Sequence, residues 1–324
     1  MGVRFSHPWY HTDLGKALRR ITGCQMSVPR VGDLCPFIST PMPSVPPSPP
    51  DIGDCCDRRA SELVQKYQTL YVMWSGGVDS TLVALYLAKH KKPDTKLILS
   101  TCEQSLSDAS GRVLDSLISS GYTTEEISRE RMLQVVEEGG MVVTGHHADS
   151  ILLGDFVDSA GIYEEIWDMS LVELFMKHAN VNEKQAEAAI LALEPVLRAM
   201  PAGMERTAPN VGWWLDFCTY WDQDEVVTML RLGLKPPGVG YVTFFGTIEF
   251  QQWALQDVSK KAGRTAKTYK QIYLNMIWGL LGYEESFVVK NNMKIPFDNI
   301  SRLPGPALLK IREDYSVVMS STSL

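Results

Sequence analysis

Residues 71–81 read YVMWSGGVDST, and this stretch decides the fold. Four apolar residues suit a strand buried on both faces. Ser75-Gly76-Gly77 then breaks the run, and Asp79, Ser80 and Thr81 open a helical pattern. A strand that passes through two glycines into a helix presents several backbone N–H groups in a small concavity. The helix N-terminus adds partial positive charge at the same place. Glycines let the backbone approach a ligand closely, and Ser75, Ser80 and Thr81 supply hydroxyl donors. A phosphate cradle of amides and hydroxyls is one reading; a plain strand-to-helix turn is the other. The stretch differs from the GxxxxGK[ST] loop, whose lysine reaches the β- and γ-phosphates. Here an acid, Asp79, stands at the helix start, where it either caps the helix or faces a Mg²⁺ lying between it and phosphates.

Working outward, the pattern alternates. Helices are predicted over Arg59–Tyr67, Asp79–His90, Ala109–Ser120 and Ile127–Glu138, and strands over Leu70–Trp74, Lys96–Thr101 (KLILST) and Met141–Thr144 (MVVT). Such alternation argues for a parallel sheet covered on both faces, with ligands beyond the carboxyl ends of its strands. From about residue 161 the pattern becomes mainly helical: Tyr163–His178, Glu183–Met200, Trp213–Trp221, Glu225–Leu232, Thr247–Val258 and Lys267–Leu281, with Val242–Phe245 as one more strand. The end of the chain reads as irregular.

At the other end, six prolines between Pro41 and Pro50 favour extended backbone, and a short helix is predicted around Leu14–Ile21. The expected organisation is an N-terminal segment and proline-rich linker (1–54), an α/β core (55–160) and a mainly helical half (161–324).

SGGVDS after an apolar strand resembles the signature of the PP-loop, or N-type ATP pyrophosphatase, superfamily. The resemblance implies an adenine-nucleotide α-hydrolase-like parallel sheet with helices on both faces, and cleavage of ATP between the α- and β-phosphates. It implies that Ser75, Gly76, Gly77, Asp79 and Ser80 form the pyrophosphate loop and that Asp79 is a Mg²⁺-associated acid. The missing lysine then has a reason: the product held there is pyrophosphate, cradled by amides and metal.

A second stretch, TGHHADSILLGD (144–155), follows the MVV strand. His146 and His147 are adjacent and point in different directions on most backbones, which disfavours a dedicated zinc site. Asp149 at a helix start reads as a second Mg²⁺ or capping acid. The spacing Gly145…Asp149-Ser150…Gly154 resembles the second acidic motif of the asparagine synthetase synthase domain, with His147 and Leu153 in place of family glycines and Ser150 in place of the usual Glu. The GHH turn with an Asp also resembles tRNA-modifying PP-loop enzymes.

A third stretch, FFGTIEFQQWAL followed by AKTYKQIYLNMIWGLLG, reads as two amphipathic helices joined by a basic segment. Together with WWLDFCTYW and SGGVDS it resembles asparagine-synthase-like proteins often carried by bacteriophages. In that family a lysine from the helical half reaches the β- and γ-phosphates. The resemblance makes Lys267 and Lys270 the candidate catalytic cations; the other reading of each is a solvated surface lysine.

Composition narrows the partners. Of 324 residues, 45% are hydrophobic and 21% charged, as in soluble globular proteins, and the net charge of −7 draws the chain neither to nucleic acid nor to an anionic membrane. No apolar run reaches the roughly 18 residues of a membrane span, and the N-terminus lacks a signal-peptide core and a fitting myristoylation pattern. A cytoplasmic location is expected, the host's if the chain is phage-encoded. The six cysteines form no CxxC pair, which argues against a zinc cluster.

Three functions remain open. The first is an amide-forming ligase using ATP and Mg²⁺ on an unknown carboxylate or carbonyl acceptor. A glutaminase nucleophile just after Met1 is not expected, because Gly2 stands there, so the amine would be free ammonia, an amine substrate or ammonia from a partner protein. The second is a sulfur-transfer or nucleobase-modifying enzyme, for which Cys102 at the end of KLILST is the candidate thiol. The third is a nucleotide-binding interaction protein, with the proline arm and the tryptophan-rich 213–221 segment as its surface. Glu103 is a candidate for orienting substrate.

Overall fold

The computed structural model describes residues 43–102, 105–106, 111–153, 162–219, 221, 240–283, 308–311 and 317–320. The predicted helices around Leu14–Ile21 and over Glu225–Leu232, together with Glu103, lie outside them. Contacts divide the chain into two compact units. One takes residues 43–152 and 224–300, the other residues 1–42, 153–223 and 301–324.

The first unit is built on a parallel sheet of β1 (Thr69–Met73), β2 (Lys96–Thr101), β3 (Tyr122–Glu126), β4 (Met141–Thr144) and β5 (Tyr241–Thr243), in the order β3-β2-β1-β4-β5. The fold is α/β, and this order is consistent with an adenine-nucleotide α-hydrolase-like arrangement. β4 is wholly buried, and β1 and β2 are buried from their second residues onward. Central strands covered on both faces need such continuous apolar runs, which is why they are legible in the sequence. On one face Tyr71, Met73, Ile98, Val142 and Tyr241 pack with Met132 and Val135 of the helix Arg129–Glu137. The helix Val78–His90 packs against the helices Ile52–Lys66 and Gln271–Leu281.

β3 is absent from the sequence reading, and MVVT is the fourth strand in chain order instead of the third. The strand YTTEE buries only Tyr122. As the sheet's edge it needs just one ladder, so its polar residues are tolerated and no apolar run marks it. The next helix starts at Arg129 instead of Ile127, because the Ser128 hydroxyl accepts the Arg131 N–H at 3.0 Å and caps it there. The first described helix starts at Ile52, capped by Asp51 directly after Pro49-Pro50.

In the second unit the predicted helix Tyr163–His178 divides into a 3₁₀ turn (Glu165–Trp167) and a helix Leu171–Ala179. Ser170 and Glu173 form a capping box that restarts the helix. The helix Glu183–Leu197 follows behind a second capping box, Asn182 with Gln185. In and beyond the helix Ala208–Thr219, Trp213, Trp214, Phe217 and Trp221 are all buried, and the Trp213 and Phe217 rings stack at 4.9 Å. Trp214 donates to the Val196 carbonyl at 2.8 Å. The tryptophan-rich segment is therefore core, not an exposed surface. β6 (Leu308–Ile311) and β7 (Val317–Ser320) pair antiparallel within the stretch read as irregular.

Candidate functional site

β1, β2 and β3 run to one side of the sheet, while β4 and β5 lie on the other side of β1. The switch point falls between β1 and β4, and in open α/β sheets ligands bind outside the strand ends at such a point. The two stretches singled out in the sequence, SGGVDS and TGHHADS, are the turns that leave β1 and β4.

The first turn is held by its own hydroxyls. Ser75 N–H donates to Ser80 Oγ at 3.1 Å, the two serine oxygens lie 3.0 Å apart, and Gly77 N–H donates to Ser75 Oγ at 3.3 Å. Ser80 Oγ also donates to the Gly77 carbonyl at 3.4 Å. Gly76 takes φ +77°, a conformation costing an L-residue about 1–2 kcal/mol. Beneath the loop, Trp74 donates to Thr81 Oγ1 at 3.0 Å and fixes strand to helix.

The second turn packs on the first through Gly145. A Cβ there would lie 3.2 Å from Ser80 N and 3.3 Å from the Asp79 carbonyl carbon. His147 has φ +69° and is 3% exposed. Glycine is the residue expected in that conformation. His146 turns elsewhere: its Nδ1 lies 3.1 Å from Tyr241 Oη, which is 3.2 Å from Thr144 Oγ1. Burial lowers His146 to about 4, so its ring is neutral at pH 7. Among the described residues no three His, Cys, Asp or Glu side chains are grouped to hold a metal.

Both turns deliver an aspartate as the second residue of the helix they open, Asp79 in Val78–His90 and Asp149 in Ala148–Leu152. Lys270 joins them. Its Nζ lies 2.5 Å from Asp79 Oδ2 and 2.8 Å from Asp149 Oδ1. Tyr269 donates to the same Asp149 oxygen at 3.2 Å. Burial pushes Tyr269 well up, so it stays a phenol and a donor. Burial pushes Asp79 up to about 6, against the pull of the Lys270 ammonium. Burial also works against the charge on Lys270, but Asp149 and Asp79 outweigh it and hold the ammonium well above the usual lysine range. At these separations each carboxylate attracts the ammonium by roughly 6 kcal/mol at an effective dielectric of 20, so Lys270 remains charged.

Lys267 is exposed, three residues before the lysine that meets the acids. The predicted helix Lys267–Leu281 starts only at Gln271, because Thr265 and Thr268 exchange N–H to Oγ1 bonds at 3.1 and 3.2 Å and hold the preceding turn outside the helix. Which lysine faces the acids depends on that turn. Cys102 follows β2, partly buried, and its Sγ accepts the Ser105 N–H at 3.4 Å. His146 and Tyr241 form a pair absent from the sequence reading. The only signal for it was the aromatic residue opening β5, whose register brings it beside β4.

The residues present fit a divalent cation. Asp79 Oδ1 is buried and has no hydrogen-bond partner, an arrangement that costs stability unless a cation or donor arrives. Mg²⁺ is commonly held by one or two carboxylates together with substrate phosphates and waters, and two carboxylates stand here beside an amide-rich loop.

No protein-family model matches this chain, and no curated protein matches it.

Proposed function

We propose that this chain is an ATP-dependent adenylating enzyme that releases AMP and pyrophosphate, of the amide-forming kind. The observation that carries the reading is the meeting of Asp79, Asp149 and Lys270 at the switch point, beside the Ser75-Gly76-Gly77 loop. Two acids and a cation drawn from three separate segments are more than helix capping requires.

In this reading the Ser75-Gly76-Gly77 loop, shaped by the Ser75 and Ser80 hydroxyls, and the start of the helix Val78–His90 hold the β- and γ-phosphates. Lys270 donates to a phosphate oxygen and offsets the charge that develops as pyrophosphate leaves. Asp79 and Asp149 would hold Mg²⁺, which when bound neutralises phosphate charge. An acceptor carboxylate oxygen attacks the α-phosphorus. A new P–O bond forms, the bond from that phosphorus to the bridging oxygen breaks, and pyrophosphate departs with the electron pair. An amine then attacks the acyl carbon of the adenylate, AMP leaves, and the amine proton passes to solvent. Holding the reactants in line contributes much of the rate.

The test is incubation with Mg-ATP and a panel of carboxylates with ammonia, following AMP and pyrophosphate by phosphorus NMR. AMP and pyrophosphate in equal amounts support the reading. ADP and phosphate overturn α,β cleavage, and bound but unconverted ATP with every acceptor favours an interaction protein.

A further inference from the structure

We propose that Lys270 is a built-in counter-ion that keeps the Asp79–Asp149 pair closed to divalent cations until a nucleotide draws it away, so that metal and nucleotide load together. This inference rests on the adenylating reading above.

The ammonium occupies the position a divalent ion needs. It touches one oxygen of each acid, at 2.5 and 2.8 Å. A Mg²⁺ shared by those oxygens would sit about 2.1 Å from each, which leaves no room for Nζ beside them. Charge points the same way. With Lys270 in place its ammonium offsets negative charge that an incoming cation would otherwise meet; without it that offset is gone. A dication and an ammonium at one pair of oxygens also repel each other.

The lysine can leave without unfolding its surroundings. Its backbone precedes the helix Gln271–Leu281, its carbonyl accepts the Leu274 N–H at 3.0 Å, and the Thr265–Thr268 turn holds the chain just before it. Only the flexible four-carbon stem has to swing. Tyr269 stays on Asp149 as a neutral donor and keeps that carboxylate oriented. The buried Asp79 Oδ1, without a hydrogen-bond partner, is a further oxygen to receive the metal. Nucleotide phosphates offer the released ammonium a new anionic partner. Each ligand therefore raises the affinity for the other by the same factor.

The test measures Mn²⁺ affinity of the full chain by electron paramagnetic resonance at pH 7.5, first without nucleotide. Lys270→Met is expected to bind Mn²⁺ at least about tenfold more tightly than the wild type, within the range of ordinary coupling. Lys270→Arg, which keeps a cation there, should bind as weakly as the wild type. ATP should raise wild-type affinity by about the same tenfold factor and add less to the Met variant. Asp79→Asn in the Lys270→Met background should remove the gain. Lys270→Gln, which keeps a hydrogen-bonding stem, serves if the Met variant does not fold. Equal nucleotide-free affinity in wild type and Met or Gln variant overturns the inference, as does a gain that survives Asp79→Asn. Failure of the adenylating reading registers separately, as ATP that yields no AMP, whatever order the nucleotide-free Mn²⁺ affinities take.

Discussion

The turn after β1 passes through Gly76 at φ +77°, whereas the turn after β4 passes through His147 at φ +69°. Both then place an aspartate second in a helix and a serine third. In the first turn glycine meets the backbone requirement with no side chain, and the Ser75 and Ser80 hydroxyls accept the Gly77 and Ser75 N–H groups. In the second a histidine takes the same left-handed conformation, at a cost of about 1–2 kcal/mol. Its ring is buried. One turn meets the left-handed requirement with a glycine, the other with a buried histidine, and both bring an aspartate to Lys270.

The largest expected effect separates the two acids. Asp79→Asn is predicted to lower AMP and pyrophosphate release by roughly 10³-fold with the fold intact, the upper end for loss of one charge-stabilising group. Asp149→Asn should lower it by roughly 10²-fold, because its side chain is 33% exposed against 22% for Asp79 and water can replace part of its role. Continuous pyrophosphate detection measures both, and an active Asp79→Asn enzyme would sink the metal assignment.

Next comes the contact between the turns. Gly145→Ala puts a methyl 3.2 Å from Ser80 N, and the backbone of either turn must move. Urea unfolding should show a loss of about 1–3 kcal/mol together with reduced turnover. A variant as stable and active as the wild type would mean that the turns tolerate separation.

His146 gives the comparison a pH dependence. Its folded pKa of about 4 lies below the ordinary value of 6.5. Its contribution is therefore fully present above pH 6.5 and is lost as pH falls through about 4. About 3 kcal/mol of stability should disappear over that window, and His146→Gln should remove this part of the acid limb. An unchanged acid limb in His146→Gln would show that burial does not hold the ring neutral.

The smallest effect belongs to the turn after β2, which brings neither a glycine nor an aspartate to the strand end. Cys102→Ala should leave turnover unchanged. Loss of turnover with ATP binding intact would move the chemistry to sulfur transfer.

The central strands and the two acidic turns were legible because each is written in consecutive residues: an apolar run, then a turn, then an acid. β3 was not, since an edge strand needs no apolar run and YTTEE has none. Lys270 was one of two candidates. Periodicity carried the helix back to Lys267, whereas the Thr265–Thr268 turn ends it at Gln271. The aromatic residues Trp213, Trp214, Phe217 and Trp221 read equally well as surface or core until their neighbours are known, and all four are buried.

By itself, YVMWSGGVDST determined that a buried strand turns through glycine into a helix headed by Asp79, because local sterics and backbone hydrogen bonding act within a few residues. Tertiary structure alone decided that Asp149 and Lys270 stand beside that aspartate. Parallel strands pair across long sequence separations, and the pairing of β4 beside β1, with the helix Gln271–Leu281 packed on Val78–His90, sets distances that no local pattern contains.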